Sequence, residues 1–136
     1  MVRGDTLFFN NQVYQNLLTN ELFTIPVTSP PTTPPANSVP FNLTGAEIWF
    51  TAKSSIPLPD VAAVFELNNM TLGGVAILTA ASGTFSVTGS PQATLTFPDS
   101  RVLLYFDQQV KDSTGRVSTV EVGHLEVFPD TTRNIT

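Results

Sequence analysis

Residues 101–133 read RVLLYFDQQVKDSTGRVSTVEVGHLEVFPDTTR, and this stretch decides the fold class. Two apolar-rich runs, Val102–Val110 and Val117–Phe128, flank the polar turn Lys111-Asp112-Ser113-Thr114-Gly115, which is the pattern of a long β-hairpin. In the second run Val120 and Val122 share one parity, while Leu125 and Val127 have the other. Side chains alternate across a strand, so a one-residue slip is needed to bring both pairs onto one face. A β-bulge near Gly123 and His124 supplies it, glycine being the residue that most cheaply adopts the backbone angles a bulge can require. Such a bulge would also bring Glu121, His124 and Glu126 onto one outward face.

Upstream, the same period-two pattern recurs. Ala46–Lys53 places Ala46, Ile48, Phe50 and Ala52 on one face and leaves Trp49 on the other. Val61–Leu67, Gly73–Thr79, Thr84–Thr88 and Gln92–Phe97 are further short runs, separated by Asn68-Asn69, Ala80–Gly83 and Gly89-Ser90-Pro91. About seven short strands punctuated by turn residues, with no convincing helical period, predict an all-β antiparallel β-sandwich.

The first forty residues read differently. Asp5–Phe9 is a short strand closed by a turn at Asn10-Asn11, and Gln12–Ile25 is ambiguous, read as extended. Pro26–Pro40 then holds Pro26, Pro30, Pro31, Pro34, Pro35 and Pro40, six of the chain's eleven prolines. Proline lacks the N–H that a sheet requires and fixes φ, so this stretch is neither a central strand nor a helix. At ~3.1 Å per residue it reaches about 45 Å, enough for an arm laid over a neighbouring subunit; the plainer reading is a long surface loop. The expected organisation is an N-terminal strand with a proline-rich arm or long loop over residues 1–40, and the sandwich over 41–136.

Composition bounds the function. The chain has 136 residues, 41% hydrophobic and only 12% charged, about half the usual charged share. A polar but weakly charged surface repels its neighbours little, which suits a protein packed against others. A net charge of −5 with only six Lys and Arg residues excludes nucleic acid as a partner, since phosphate binding needs a clustered basic surface. No cysteine is present, so disulfides and Cys-ligated metals are excluded. The residues after Met1 form no secretory h-region, and no apolar run is long enough to span a bilayer, so synthesis in the cytoplasm without a signal peptide and no membrane partner are expected.

Candidate chemistry is sparse. His124 is the single histidine and no Gly-x-Ser-x-Gly elbow occurs, so Glu121, His124 and Glu126 read as solvated strand positions and the chain as a non-enzyme without cofactor or metal. Asp99, Asp107, Asp112 and Asp130 have no calcium-loop spacing and read as turn and capping residues. Arg3-Gly4-Asp5 spells the cell-adhesion tripeptide but leads directly into a strand. Asn42-Leu43-Thr44, Asn69-Met70-Thr71 and Asn134-Ile135-Thr136 match the glycosylation triplet, incidental in a chain rich in Asn and Thr. For Trp49 three readings stand: subunit contact, second-layer core, or a plate for a sugar ring.

One family is called up by particular residues. Gly4-Asp5-Thr6, then Asn42-Leu43-Thr44-Gly45-Ala46 running into Ile48, Phe50 and Lys53, then Gly74-Val75, and finally Tyr105-Phe106-Asp107, Gly115, Gly123, Val127 and Asp130-Thr131-Thr132 resemble the immunoglobulin-like N-terminal domain of phage baseplate upper proteins and similar phage virion domains. The family has a much shorter link where this chain has Asn10–Pro40, and its baseplate members continue into further domains. The resemblance implies an immunoglobulin-like sandwich and a virion protein that decorates or stabilises a capsid, or attaches at a tail baseplate, binding other phage structural proteins and copies of itself. Contact residues are then expected at Phe23, Pro30, Pro31, Pro34, Pro35 and Trp49. The competing class is a glycan- or surface-binding adhesion module on the same sandwich.

Overall fold

The computed structural model describes residues 1–28, 33–54, 63–97 and 100–129. Nine strands are present among them: β1 (Leu7–Asn16), β2 (Leu22–Pro26), β3 (Ser38–Pro40), β4 (Glu47–Lys53), β5 (Ala63–Asn68), β6 (Val75–Thr79), β7 (Thr84–Gly89), β8 (Val102–Lys111) and β9 (Val117–Val127). A single helical turn, α1 (Pro91–Thr94), lies between β7 and β8. The strands pair antiparallel into two sheets, β2-β1-β7-β6 with β3 also on β1, and β5-β4-β8-β9. This is a two-sheet β-sandwich. Its pairing follows the immunoglobulin arrangement: β1, β7 and β6 stand where strands B, E and D do, and β4, β8 and β9 where C, F and G do. β2 takes the first edge although it follows β1 in the chain, so the long insertion supplies the outer strand of the sheet.

Alternation builds the core. β4 turns Ile48, Phe50 and Ala52 inward, and β8 turns in Leu104, Phe106 and Val110. Opposite them come Leu7 and Val13 of β1 and Phe85 and Val87 of β7. Phe50 is at the centre, its ring 5.6 Å from Phe9, 5.2 Å from Phe106 and 6.3 Å from Phe65. A fully buried phenylalanine contributes about 1.5–3 kcal/mol by area alone, and the aromatic neighbours add to that.

The bulge lies upstream of the expected place. Gln108 pairs with Glu121 and Gln109 with Thr119, so Val120 is the extra residue. Val120 is buried, and Glu121 next to it also turns between the sheets, so the phase changes at that step. Gly123 has another cause. It faces Phe106 across the ladder, and a Cβ there would stand 2.7 Å from Cζ of that ring. The ring occupies the space a side chain needs.

Two other expectations are corrected. Asn10-Asn11 is no turn: β1 runs through it, because β2 pairs with Asn11 on one flank and β7 on the other, and the saturated ladder outweighs the turn preference of asparagine. The chain reverses later, at Leu17–Asn20, where the Asn16 side chain accepts from the Leu18 and Thr19 amides. Gln92–Phe97 is not a strand. Ser90 caps α1 by accepting from the Ala93 amide at 3.1 Å, and Pro91 occupies the first helical position. Strand pairing crosses the boundary drawn at residue 40, since β1 is an interior strand of the first sheet.

The proline-rich stretch has both described ends on β1. Pro26 pairs with Asn11 on one edge of that strand, and Ser38–Pro40 pair with Asn16–Tyr14 on the other. Both described ends of the stretch thus stay with the first sheet, and its residues 29–32 lie outside the described ones. At the opposite border, Met1–Arg3 run along the end of β9, with a parallel bridge between Val2 and Phe128.

Candidate interaction surface

The outer face of the second sheet is built by the residues that β4, β5, β8 and β9 turn away from the core. Register sets them in rows: Gln109 beside Trp49, Asp107 beside Thr51 beside Glu66, and Tyr105 beside Lys53. β9 extends the rows with Val117, Thr119, Val122, His124 and Glu126. Among these, Leu103 of β8, Val117 and Val122 are 48%, 55% and 66% exposed, so apolar groups sit in solvent among amides, hydroxyls and charged groups. Trp49, Thr51, Glu66, Gln109 and Val117 line a depression of about 300 Å³ on this face. Trp49 is half-buried there.

The other outer face carries a second, smaller cleft. Phe23 stacks on Tyr14 at 5.9 Å and 22°, directly across the β1–β2 ladder. Tyr14 donates its hydroxyl to Gln12 at 2.9 Å, and the Gln12 amide donates to the Ser82 carbonyl at 2.7 Å. Gln12, Tyr14, Ile25, Pro26, Val27, Thr28 and Pro34 enclose about 190 Å³. The proline loop thus lies against its own sheet at Pro34.

The expected contact residues do not converge. Phe23 and Pro34 belong to the first sheet's outer face and Trp49 to the second's, on opposite sides of the sandwich. Pro35 is exposed, and Pro30 and Pro31 lie outside the described residues.

Between the sheets sits a polar group that strand periodicity could have exposed. Asn11, in phase with Leu7 and Val13, and Gln108, in phase with Leu104 and Phe106, occupy core positions and are 2% and 0% exposed. The Asn11 amide donates to Gln108 at 3.2 Å, and Gln108 donates in turn to the Glu121 carboxylate. Thr24 reaches the Val120 carbonyl at 3.4 Å. Burial pushes the Glu121 carboxyl above its ordinary range, and a hydrogen bond from Thr24 only partly offsets it. The cluster ties β1, β8 and β9 together through the interior.

The candidate chemistry is dispersed. Glu121 points inward, His124 stands edge-on to Tyr105 at 4.8 Å, and Glu126 pairs with Arg101 at 2.8 Å, so the trio is not a cluster. Among the described residues no group of three His, Cys, Asp or Glu is placed to hold a metal ion. Asp112 organises the β8–β9 turn, accepting from the Thr114 side chain and from the Thr114 and Arg116 amides, and the first of these bonds does most to hold its carboxyl below the usual range. Asp99 and Asp130 lie outside the described residues.

No family model, curated protein or solved structure matches this chain.

The short motifs are absorbed by the fold. Arg3 donates to the Phe97 carbonyl at 2.9 Å, and the buried Gly4 amide donates to Thr94 Oγ1 at 3.0 Å, so the adhesion tripeptide is fastened to α1. Asn42 accepts from Thr44 in its turn, and Asn69 bonds the Ile48 amide and the Ala46 carbonyl. Asn134 is outside the described residues. Among the described residues no helix is long and apolar enough to cross a membrane.

Proposed function

We propose that the chain is a non-enzymatic structural domain of a phage particle, binding other virion proteins and copies of itself, either as a capsid decoration or at a tail baseplate. The observation that carries this is the outer face of the second sheet, where exposed Leu103, Val117 and Val122 and half-buried Trp49 and Tyr105 stand among polar and charged groups. Such a surface has the exposed apolar and aromatic content of a protein contact. The immunoglobulin-type strand order agrees with the family that the sequence resembles, but a sandwich of this kind hosts many functions, so the location on a particle rests on the resemblance.

A second reading, a glycan- or surface-binding module, is favoured by one feature: Trp49 shares its depression with Thr51, Glu66 and Gln109, groups able to meet sugar hydroxyls. Immunogold labelling of particles from the producing strain, with an antibody against this chain, separates the two. Label over heads or at the tail tip is expected. Particles without label, from cells in which the protein is expressed, would sink the virion reading and move the adhesion module to the front.

A further inference from the structure

The depression around Trp49 has a chemistry more specific than a generic contact. Gln109 lies directly across the ladder from Trp49; one hydrogen of its amide nitrogen goes to Thr119 Oγ1 at 3.4 Å, and its carbonyl oxygen can accept. Glu66, diagonal to Trp49 on β5, has a carboxylate with no hydrogen-bond or ion-pair partner among the described residues. The nearby Lys111 ammonium is drawn aside to Glu47, 3.9 Å away. The site therefore brings a carboxylate, an amide oxygen and an indole together.

We infer that this depression receives an arginine side chain of a partner protein. A guanidinium has only donors to offer, in a planar fork that suits a carboxylate and an amide oxygen, and its flat cation is attracted to an indole face. Trp and Arg are also the residues that most often dominate protein contacts, which agrees with a central anchor here. The inference rests on the chain being an interaction domain and names the group its partner presents.

The chain's single tryptophan is in the site, so its fluorescence reports occupancy without a label. The protein is titrated with a short peptide carrying one arginine, with the same peptide carrying citrulline, and with N-acetylglucosamine. A saturable change with the arginine peptide, roughly fivefold weaker in Glu66→Gln and absent with citrulline, is expected from one exposed ion pair plus a cation–π contact. Equal response to citrulline, a saturable response to the sugar instead, or no saturable response to arginine up to the weak-binding limit would each overturn it. The titration does not involve particles. A negative result beside positive immunogold labelling removes the arginine site and leaves the virion reading standing, while a positive titration beside unlabelled particles does the reverse.

Discussion

At the scale of single residues, two positions show how a substitution is read from its surroundings. Glu121 holds its proton more tightly folded than unfolded, because burial raises its pKa. As pH rises above the ordinary carboxylate range, the unfolded chain releases this proton first, so stability falls through the window up to the raised value and stays lower beyond it. Glu121→Gln keeps an acceptor for Gln108 and carries no charge. Its melting temperature should exceed wild type at neutral pH, with the difference closing as the pH is lowered through that window. A difference independent of pH would show that the carboxyl is not the cause. Gly123 was legible as special but for another reason than the one inferred, since its partner across the ladder cannot be read from neighbours in sequence. Gly123→Ala should cost about 1–3 kcal/mol by forcing Phe106 from its place, read as a shift in urea midpoint. In a Phe106→Leu background the same change should cost clearly less, which a purely conformational role of the glycine would not produce.

Elements depend on what fastens them. α1 is only four residues long, too short to persist by propensity, and it stays because Ser90 caps it and Thr94 is bonded to the N-terminal segment. The Thr94 hydroxyl donates to the Asp5 carbonyl at 2.7 Å while accepting from the Gly4 amide. Thr94→Val keeps the shape and strands both groups, so a loss of about 1–3 kcal/mol is expected, with the Gly4 amide exchanging faster than the β1 amides. Unchanged exchange at Gly4 would mean that the hydroxyl does not hold the segment. The Gln92–Phe97 run looked like a strand because alternation over six residues cannot distinguish a strand from a capped turn; the Ser-Pro pair before it was the better signal. In β9 the valines at 120 and 122 suggested a common face, and only the pairing with Gln108 and Gln109 shows that the phase shifts between Val120 and Glu121.

For the whole molecule, the question is which parts make the folding unit. The proline loop begins and ends on β1, with its two anchors about 20 Å apart by strand geometry, a distance well within the reach of about eight extended residues. Replacing residues 28–36 with a Gly/Ser linker of that length should leave one cooperative unfolding transition, weakened by no more than about 2–4 kcal/mol through the loss of proline stiffness. A chain starting at Phe41 lacks β1, β2 and β3 and exposes the inner edge of β7. It should give the poor amide dispersion of an unfolded chain in NMR spectra. A well-folded product from Phe41 onward would restore the boundary at residue 40 and contradict the central place of β1.

What this sequence determined by itself is the local part of the design. Period-two alternation in β4 and β8 specifies which side chains face the core, and the density of Gly, Pro, Asn and Ser between short apolar runs specifies a sandwich, because both are consequences of covalent geometry acting within a few residues. Tertiary structure decided the rest. That Asn10-Asn11 continues a strand, that Asn11, Gln108 and Glu121 meet in the interior, that Gly123 yields to Phe106 and that the proline stretch closes on its own sheet all depend on partners distant in the chain. A ladder bond or a ring at van der Waals distance is set by pairing, and pairing is an agreement between segments that neither one carries alone.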